Sequence, residues 1–275
     1  MKMENAKRIR ILLNEIDELE AILERANELV DSDPNNEIYL DAKEDLQTKI
    51  NTRKNEIENY SVEERRATMI TQKTTSPISW AEIEKIVKSG QADKRLSVGD
   101  EITETLSAGE KIVIVVAGIN TYAKNEVIFT LKDCLTDKYY MNETNTNSGG
   151  WAKSAMRKYL NDKVFSLLPD DLKAVIKPRV LKTNSETVED KLWLFSEYEI
   201  FGEDWCDKDP DDLQIPYYRN PLKRVKLDKD GNTTRWWERS PDASNSTYFC
   251  RVDSGGSANI NDASNTNGVC FGFCI

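Results

Sequence analysis

The fold of this chain is decided by its last forty residues, which read Trp236-Trp237-Glu238-Arg239-Ser240-Pro241, then Tyr248-Phe249-Cys250, and finally Gly268-Val269-Cys270-Phe271-Gly272-Phe273-Cys274-Ile275. These blocks are aromatic, apolar, or Gly and Pro, the residue types that build packed strands and tight turns. Residues 242–247 and 253–267, by contrast, are almost entirely Asn, Asp, Ser, Thr, Gly and Ala. Small hydrogen-bonding side chains on a rigid frame indicate a recognition surface. A set of solvated turns is the alternative that the composition leaves open.

Twelve residues of this segment are candidate ligand-binding residues, namely Trp236, Asp242, Ser244, Asn245, Ser246, Arg251, Asp253, Asn259, Asn261, Asp262, Asn265 and Asn267. Asn and Ser carry both donor and acceptor groups, which suits sugars and protein backbone alike. Arg251 and Trp236 supply the larger anchors that are typical of interface hot spots. If strand alternation holds, one of Trp236 and Trp237 faces the core and the other faces solvent.

The N-terminal residues 1–67 are predicted to form a helical stalk. Their apolar positions alternate spacings of three and four, as in the a/d seam of a coiled coil, at Ile9, Leu12, Ile16, Leu19, Leu23, Ala26 and Val30. The sequence Asp31-Ser32-Asp33-Pro34 ends this helix and starts a second one over about 36–60. Because an amphipathic helix must bury its apolar stripe, we expect a homo-oligomer formed through these helices. A hairpin closed within one monomer is the alternative.

A linker over 68–79 is predicted to precede a head domain over 80–275. Within the head, 80–88 and 151–160 read as helices, and 111–118, 126–131, 179–182 and 191–195 read as strands. Residues 203–231 show no strong period and read as a long loop. This order predicts an α+β fold, with the N-terminal helices followed by small antiparallel sheets and short helices.

The composition argues against several functions. The net charge of -10 argues against a nucleic-acid partner, because binding to phosphates needs basic patches. No apolar run reaches membrane-spanning length and the start lacks the apolar core of a signal peptide, so we expect cytoplasmic synthesis and no membrane insertion. The chain has no histidine, which removes Ser-His and Cys-His nucleophile pairs. We therefore expect a protein that is not an enzyme.

The cysteines are expected to be reduced and mostly buried, since no secretion signal accompanies Cys134, Cys206, Cys250, Cys270 and Cys274. Cys270 and Cys274 are four residues apart, which on an extended strand separates their side chains by about 13 Å. That distance is too long for both to bind one metal ion. These two residues are therefore interpreted as small buried hydrophobes.

An acidic cluster in the 203–231 loop consists of Asp207, Asp209, Asp211 and Asp212. Its spacing resembles part of a calcium-binding loop, but the glycine and the later glutamate of such a loop are missing. This favours a solvated acidic loop over a calcium site. We therefore expect no metal ligands and no cofactor, with calcium as the weaker alternative.

Four blocks of the head carry a resemblance to known domains: Gly149-Gly150-Trp151-Ala152-Lys153-Ser154-Ala155-Met156-Arg157, Asp190-Lys191-Leu192-Trp193-Leu194-Phe195-Ser196, Trp236-Trp237-Glu238-Arg239-Ser240-Pro241 and Phe271-Gly272-Phe273-Cys274-Ile275. Together they resemble a family of uncharacterised domains common in gut bacteria and their prophages. The family is similar to the C-type lectin fold in its formylglycine-generating-enzyme-like branch. Similar domains serve as variable proteins of diversity-generating retroelements, including phage receptor-binding proteins.

The resemblance implies a binding protein of a phage or prophage tail, placed in the virion after cytoplasmic synthesis. Its C-terminal surface, either diversified by a retroelement or fixed, would bind a host-surface protein or glycan. The ending Phe-Gly-Phe-Cys-Ile departs from the arginine- and proline-containing ending of well-known variable proteins. A cytoplasmic interaction module with a fixed partner is the first alternative. A copper oxidase of the formylglycine-generating type is the second, and it would need two converging cysteines.

Overall fold

The computed structural model describes residues 3–58, 78–183, 186–203, 206, 209 and 211–275. The chain divides into two compact units, Met1–Ser76 and Pro77–Ile275. Most of the predicted linker over 68–79, and the predicted helix end at Tyr60, lie outside the described residues. Across the described part of the chain, every helix is too short or too polar to cross a membrane.

The first unit is a hairpin of two helices, α1 (Met3–Ser32) and α2 (Glu37–Glu58). The side chain of Asn36 accepts hydrogen bonds from the backbone N–H groups of Ile38 and Tyr39, which caps the start of α2. Apolar residues of both helices meet in one buried cluster, made of Ile9, Leu12, Ile16, Ile50 and Ile57. The predicted helices are confirmed, and α2 rather than a second chain covers the first half of the α1 seam.

The second unit is the head, and its larger sheet contains the end of the chain. Its strands are β1 (Glu101–Thr105), β2 (Lys111–Ile119), β3 (Val127–Leu131), β4 (Tyr139–Tyr140), β5 (Arg179–Lys182), β6 (Thr187–Asp190), β7 (Trp193–Leu194), β8 (Lys226–Leu227), β9 (Thr233–Thr234), β10 (Trp236–Pro241), β11 (Tyr248–Val252), β12 (Ala258–Asp262), β13 (Thr266–Asn267) and β14 (Phe271–Cys274). The larger sheet has the order β1-β2-β3-β14-β7, and a second sheet has the order β10-β11-β12. Three two-stranded sheets pair β4 with β13, β5 with β6, and β8 with β9.

The last strand, β14, lies inside the larger sheet, between two strands that come much earlier in the chain. β14 pairs antiparallel with both β3 and β7. Phe273 stacks on Phe129 at 5.0 Å between ring centroids. A Cβ at Gly272 would lie 2.5 Å from Cζ of Phe195, so the close approach of this ring requires glycine. The Phe-Gly-Phe pattern is therefore explained by packing.

Short helices lie between the strands, as predicted. They are α3 (Trp80–Lys88), α4 (Ala92–Arg95), α5 (Gly150–Lys153), α6 (Ala155–Lys158), α7 (Phe165–Leu167), α8 (Asp170–Val175) and α9 (Glu197–Phe201), with a π-helical turn over Tyr159–Val164 and 3-10 turns over Pro216–Arg219 and Pro221–Arg224. Ser79 caps α3 by accepting from the Glu82 N–H. The described architecture is α+β.

Candidate functional site

The polar turn between β10 and β11 is held by its own side chains. Oδ1 of Asp242 accepts hydrogen bonds from the backbone N–H groups of Ser244 at 2.8 Å and Asn245 at 2.7 Å. Oδ1 of Asn245 in turn accepts from the N–H of Thr247 at 3.0 Å. These are Asx turns, in which a side chain replaces a backbone acceptor. Ser244 and Ser246 are exposed on this frame.

In the edge strand β12, asparagine side chains bind the backbone of their own strand. Its register with β11 turns the backbone N–H groups of Ile260 and Asp262 away from the sheet. Each of these N–H groups is bonded by the preceding side chain, Asn259 at 2.8 Å and Asn261 at 3.0 Å. The Nε of Arg251 donates to the carbonyl oxygen of Ile260 at 3.1 Å. These contacts occupy edge groups that could otherwise pair with another strand.

A loop that was not among the candidate residues joins these turns together. Nδ2 of Asn147 donates to the carbonyl oxygens of Asp242 at 3.0 Å, Asn245 at 2.9 Å and Tyr248 at 2.9 Å. Nδ2 of Asn145 donates to Asp262 at 2.6 Å. No local pattern indicates Asn147, because its partners are 95, 98 and 101 residues away in the chain.

Next to this loop lies a polar cleft of about 1050 Å³. Its lining includes Asn142, Glu143 and Thr144 from the same loop, together with Glu189 and Lys191. At its base, Asp190 accepts from Nε of Arg157 at 2.7 Å and from Nε1 of Trp151 at 2.8 Å. The cleft therefore offers both charges and several amides and hydroxyls on a fixed base, the kind of lining that suits a polar ligand.

Three of the twelve candidate residues are buried. Trp236 is fully buried, and its Nε1 donates to the carbonyl oxygen of Arg224. Arg251 and Asn267 are also buried. The expectation that one of Trp236 and Trp237 faces solvent is wrong, because both rings are 0% exposed. A ligand on the surface cannot contact the Trp236 ring, since core residues cover it.

The other nine candidates reach the surface to different degrees. Ser244, Ser246 and Asn265 are exposed, whereas Asp242, Asn245, Asp253, Asn259, Asn261 and Asp262 are half-buried. Several of the half-buried group accept hydrogen bonds from their own turn, so their side chains form the frame. We call the exposed and half-buried residues of 242–247 and 253–265 the polar surface.

β10 is held from behind by a buried charge cluster made of Tyr122, Arg179, Ser196, Glu199, Asp209, Asp212 and Arg239. Arg239 is 1% exposed, and its guanidinium binds Asp209 at 2.9 Å, Asp212 at 2.7 Å and Glu199. Arg179 binds the other oxygen of Glu199 at 2.9 Å and lies 3.9 Å above the ring of Tyr122. The prediction of a solvated acidic loop is therefore wrong for Asp209 and Asp212, while Asp207 lies outside the described residues.

The pKa values of Asp212 and Glu199 lie far apart. Burial and the negative charge of Glu199 raise the pKa of Asp212 to about 7, against the opposing effect of Arg239. The pKa of Glu199 falls to about 2, because Arg239 and Arg179 together outweigh its burial. Asp212 and Glu199 share the Arg239 guanidinium, and the ionised Glu199 makes ionisation of Asp212 less favourable.

The cysteines depart from the expectation. Cys206 and Cys250 form a disulfide, so the prediction that all five are reduced is wrong for this pair. The pairing could not be foreseen, because the two residues are separated by 44 positions without a spacing motif. Cys270 and Cys274 are free and buried, as predicted.

An α+β head that carries a polar surface on buried aromatic strands is the class of domain that these observations define. Residues 125–275, more than half of the chain, match the family described as Domain of unknown function (DUF6273), and the chain belongs to this family. No curated protein and no solved structure shows a significant match to the chain.

Proposed function

We propose that this protein is a non-enzymatic binding protein whose polar surface, with the adjoining cleft, recognises a host-surface protein or glycan. The observation that carries the proposal is the way in which the turns are held. The backbone of 242–247 is bound by Asp242, Asn245 and Asn147, so the exposed hydroxyls of Ser244 and Ser246 stand on a fixed frame. Preorganised donors and acceptors lose little entropy on binding.

The same arrangement suits a surface whose exposed residues change. Exposed side chains at 244, 246 and 265 can be replaced while the frame residues keep the turn, which fits a receptor-binding protein diversified by a retroelement. The setting in a phage or prophage tail, and a C-type-lectin-like ancestry of the head, rest on the resemblance of the four sequence blocks. They belong to the proposal.

The helical unit adds avidity in this proposal. The second half of α1 and the start of α2 leave apolar side chains exposed, with Ile22 at 38%, Leu29 at 45% and Ile38 at 76%. A second copy of the hairpin would cover them, and several weak sites on one oligomer bind a surface more tightly. Light scattering of the full chain at micromolar concentration should therefore give a mass above that of a monomer; a monomer mass would remove this part of the proposal.

The binding test uses the full chain on intact gut-bacterial strains and on a printed array of bacterial surface glycans. The double variant Ser246→Arg/Asn265→Arg, which places bulky charges on the polar surface, should lose at least about tenfold in retained binding. The matched control is Thr103→Arg, an equally exposed change on β1 at the edge of the other sheet. Equal binding by both variants, or binding only to a protein from the producing cell, would instead favour the cytoplasmic interaction module.

Sequencing the last forty codons of the gene from many cells of one lineage tests the diversification separately. Substitutions concentrated at the codons of the exposed residues Ser244, Ser246 and Asn265, with unchanged frame residues and unchanged flanks, are the expected result. An invariant segment would contradict diversification and leave a fixed binding surface.

A further inference from the structure

Three buried side chains that are distant in sequence meet beside β11. A carboxylate oxygen of Glu197 and the Sγ atoms of Cys206 and Cys250 all lie within 4.8 Å of one another. The exposed fractions of these residues are 2%, 7% and 0%. Two sulfur atoms and a carboxylate in one water-poor place are a ligand set that zinc uses in proteins.

A fourth side chain, the second acidic one, lies close to Glu197 of this group and is left unpaired by the fold. Glu238 is 0% exposed, and neither of its carboxyl oxygens has a hydrogen-bond partner among the described residues. A buried carboxyl group left unpaired destabilises the fold, because it loses its hydrogen bonds to water without gaining others. Burial and the charge of Glu197 raise the pKa of Glu238. A bound cation would satisfy both oxygens.

The strand register brings Glu238 towards the cysteines. Trp237 pairs with Arg251, and the pairing of β10 with β11 shifts only after Trp237. The register shifts between Trp237 and Pro241 while β11 advances only from Arg251 to Phe249, so residues 238–240 all lie opposite Cys250, and Glu238 is the first of them. Cys206 lies outside regular secondary structure, and its Cα is 7.2 Å from that of Cys250.

We propose that, once the Cys206–Cys250 disulfide is reduced, Cys206, Cys250, Glu197 and Glu238 bind one Zn²⁺ ion. Zinc–sulfur bonds of about 2.3 Å in a tetrahedron separate two sulfur ligands by roughly 3.8 Å. The two Sγ atoms are bonded to each other in the disulfide and must move apart to this separation after reduction, whereas a carboxylate oxygen of Glu197 already lies within 4.8 Å of both. The disulfide and the zinc ion are then alternative ways of joining Cys206 to β11.

The exchange between the two states balances with a dithiol reductant. The dithiol transfers two electrons and two protons to the disulfide, becomes a disulfide itself and leaves two thiols on this protein. Zinc then displaces both thiol protons and the proton of the Glu238 carboxyl group. Zinc affinity should therefore fall as the pH falls, since protons compete for every ligand. This site is independent of the polar surface and of its proposed ligand.

The test uses the full chain, reduced and freed of reductant under anaerobic conditions, and titrated with Co²⁺ as a coloured substitute for Zn²⁺. The expected result is one equivalent of cobalt, with a sulfur-to-cobalt charge-transfer band and the visible bands of a tetrahedral site, all removed by Zn²⁺. Cys206→Ser and Cys250→Ser should lose the charge-transfer band. Cys134→Ser, which removes a free cysteine outside the group, should keep it.

The assignment of Glu238 is tested with Glu238→Gln, which keeps the shape of the side chain. We expect the zinc affinity of this variant to fall by about tenfold or more. Circular dichroism checks that each variant is folded, and if Cys250→Ser fails this check, Cys206→Ser decides. A reduced, folded wild type without a charge-transfer band would overturn the proposal. So would a band that survives Cys206→Ser, or unchanged affinity in Glu238→Gln.

Discussion

The head contains two polar regions that are built in opposite ways. In the buried charge cluster, partners come from distant parts of the chain: Arg239 binds Glu199 and Asp212, which precede it by 40 and 27 residues. In the polar surface, most partners are two or three residues apart, as in the contacts of Asp242 with Ser244 and Asn245. The first region joins segments of the fold, and the second shapes single turns.

The difference separates stability from recognition. A buried charge that loses its partner keeps its desolvation cost, so the cluster cannot accept single changes cheaply. An exposed hydroxyl or amide can exchange its bonds for water, so the polar surface can change at little cost. A binding protein gains from this separation, because its recognition residues can vary while its fold is kept.

The largest loss of stability is expected when Arg239 is replaced. Arg239→Met leaves the carboxylates of Glu199, Asp209 and Asp212 facing each other in the core. We expect the free energy of unfolding in urea to fall by about 3–5 kcal/mol. Arg235→Met is the matched control, because the Arg235 side chain is 58% exposed, and we expect a change below about 0.5 kcal/mol. Similar losses in both variants would contradict the contrast between the regions.

The next effect is a pH dependence of stability. The folded pKa of Asp212, about 7, is above its unfolded value, so its contribution is fully present below about pH 4 and is lost as the pH rises through 7. Between pH 5 and 8 we expect a loss on the order of 2 kcal/mol. The chain has no histidine to obscure this window.

The control for this titration is Asp212→Asn, measured by urea unfolding at pH 5 and pH 8. The variant should show a smaller loss than the wild type, and the part that remains includes Glu238 and Asp190, whose pKa values are also raised by burial. An unchanged pH dependence would show that Asp212 is ionised throughout. Glu199 does not affect this window. Its pKa is lowered by folding, so its stabilising contribution is lost only as the pH falls below about 4.5.

The sequence reveals the elements of the fold better than their connections. The heptad of α1, the apolar run of β2 and the cap at Ser79 are local patterns, and all three are found in the structure. The acidic cluster was misinterpreted because nothing near Asp209 or Asp212 indicates Arg239 as a partner. The Cys206–Cys250 pair was missed for the same reason.

The polar surface shows how composition can mislead at the level of single residues. Asn259 and Asn261 have the composition of a ligand site, but their oxygens bond the outward N–H groups of β12. The frequency of aromatic residues in interface hot spots predicts Trp236 as a binding anchor. In the structure, its ring lies against Tyr218 in the core. The expected alternation of buried and exposed side chains fails at β10, because both faces of this strand are covered. The core covers one face, and the 139–151 segment, whose Tyr139 carbonyl accepts from Trp237, covers the other.

A smaller effect is expected at Asn147, which lies at the polar surface but, like the buried charge cluster, has partners that are distant in the chain. Asn147→Ala removes the donor shared by three carbonyl oxygens, and we expect a loss of about 1–3 kcal/mol together with faster amide exchange over 242–248. Asn145→Ala is the control, since this exposed residue donates to the side chain of the half-buried Asp262 at the end of β12 and not to the turn over 242–248. If Asn145→Ala costs as much, the frame is not held by Asn147.

The smallest effect is expected from the triple variant Ser244→Ala/Ser246→Ala/Asn265→Ala. These side chains are exposed, and the contacts of Ser244 with Asp242 and of Asn265 with Asn261 stay within single turns. Each change should alter the unfolding free energy by no more than about 0.5 kcal/mol, whereas binding to cells or glycans should weaken. A cost above about 1 kcal/mol per residue would make these side chains part of the frame. The polar surface could then not vary independently of the fold, and the main support for its role in recognition would be lost.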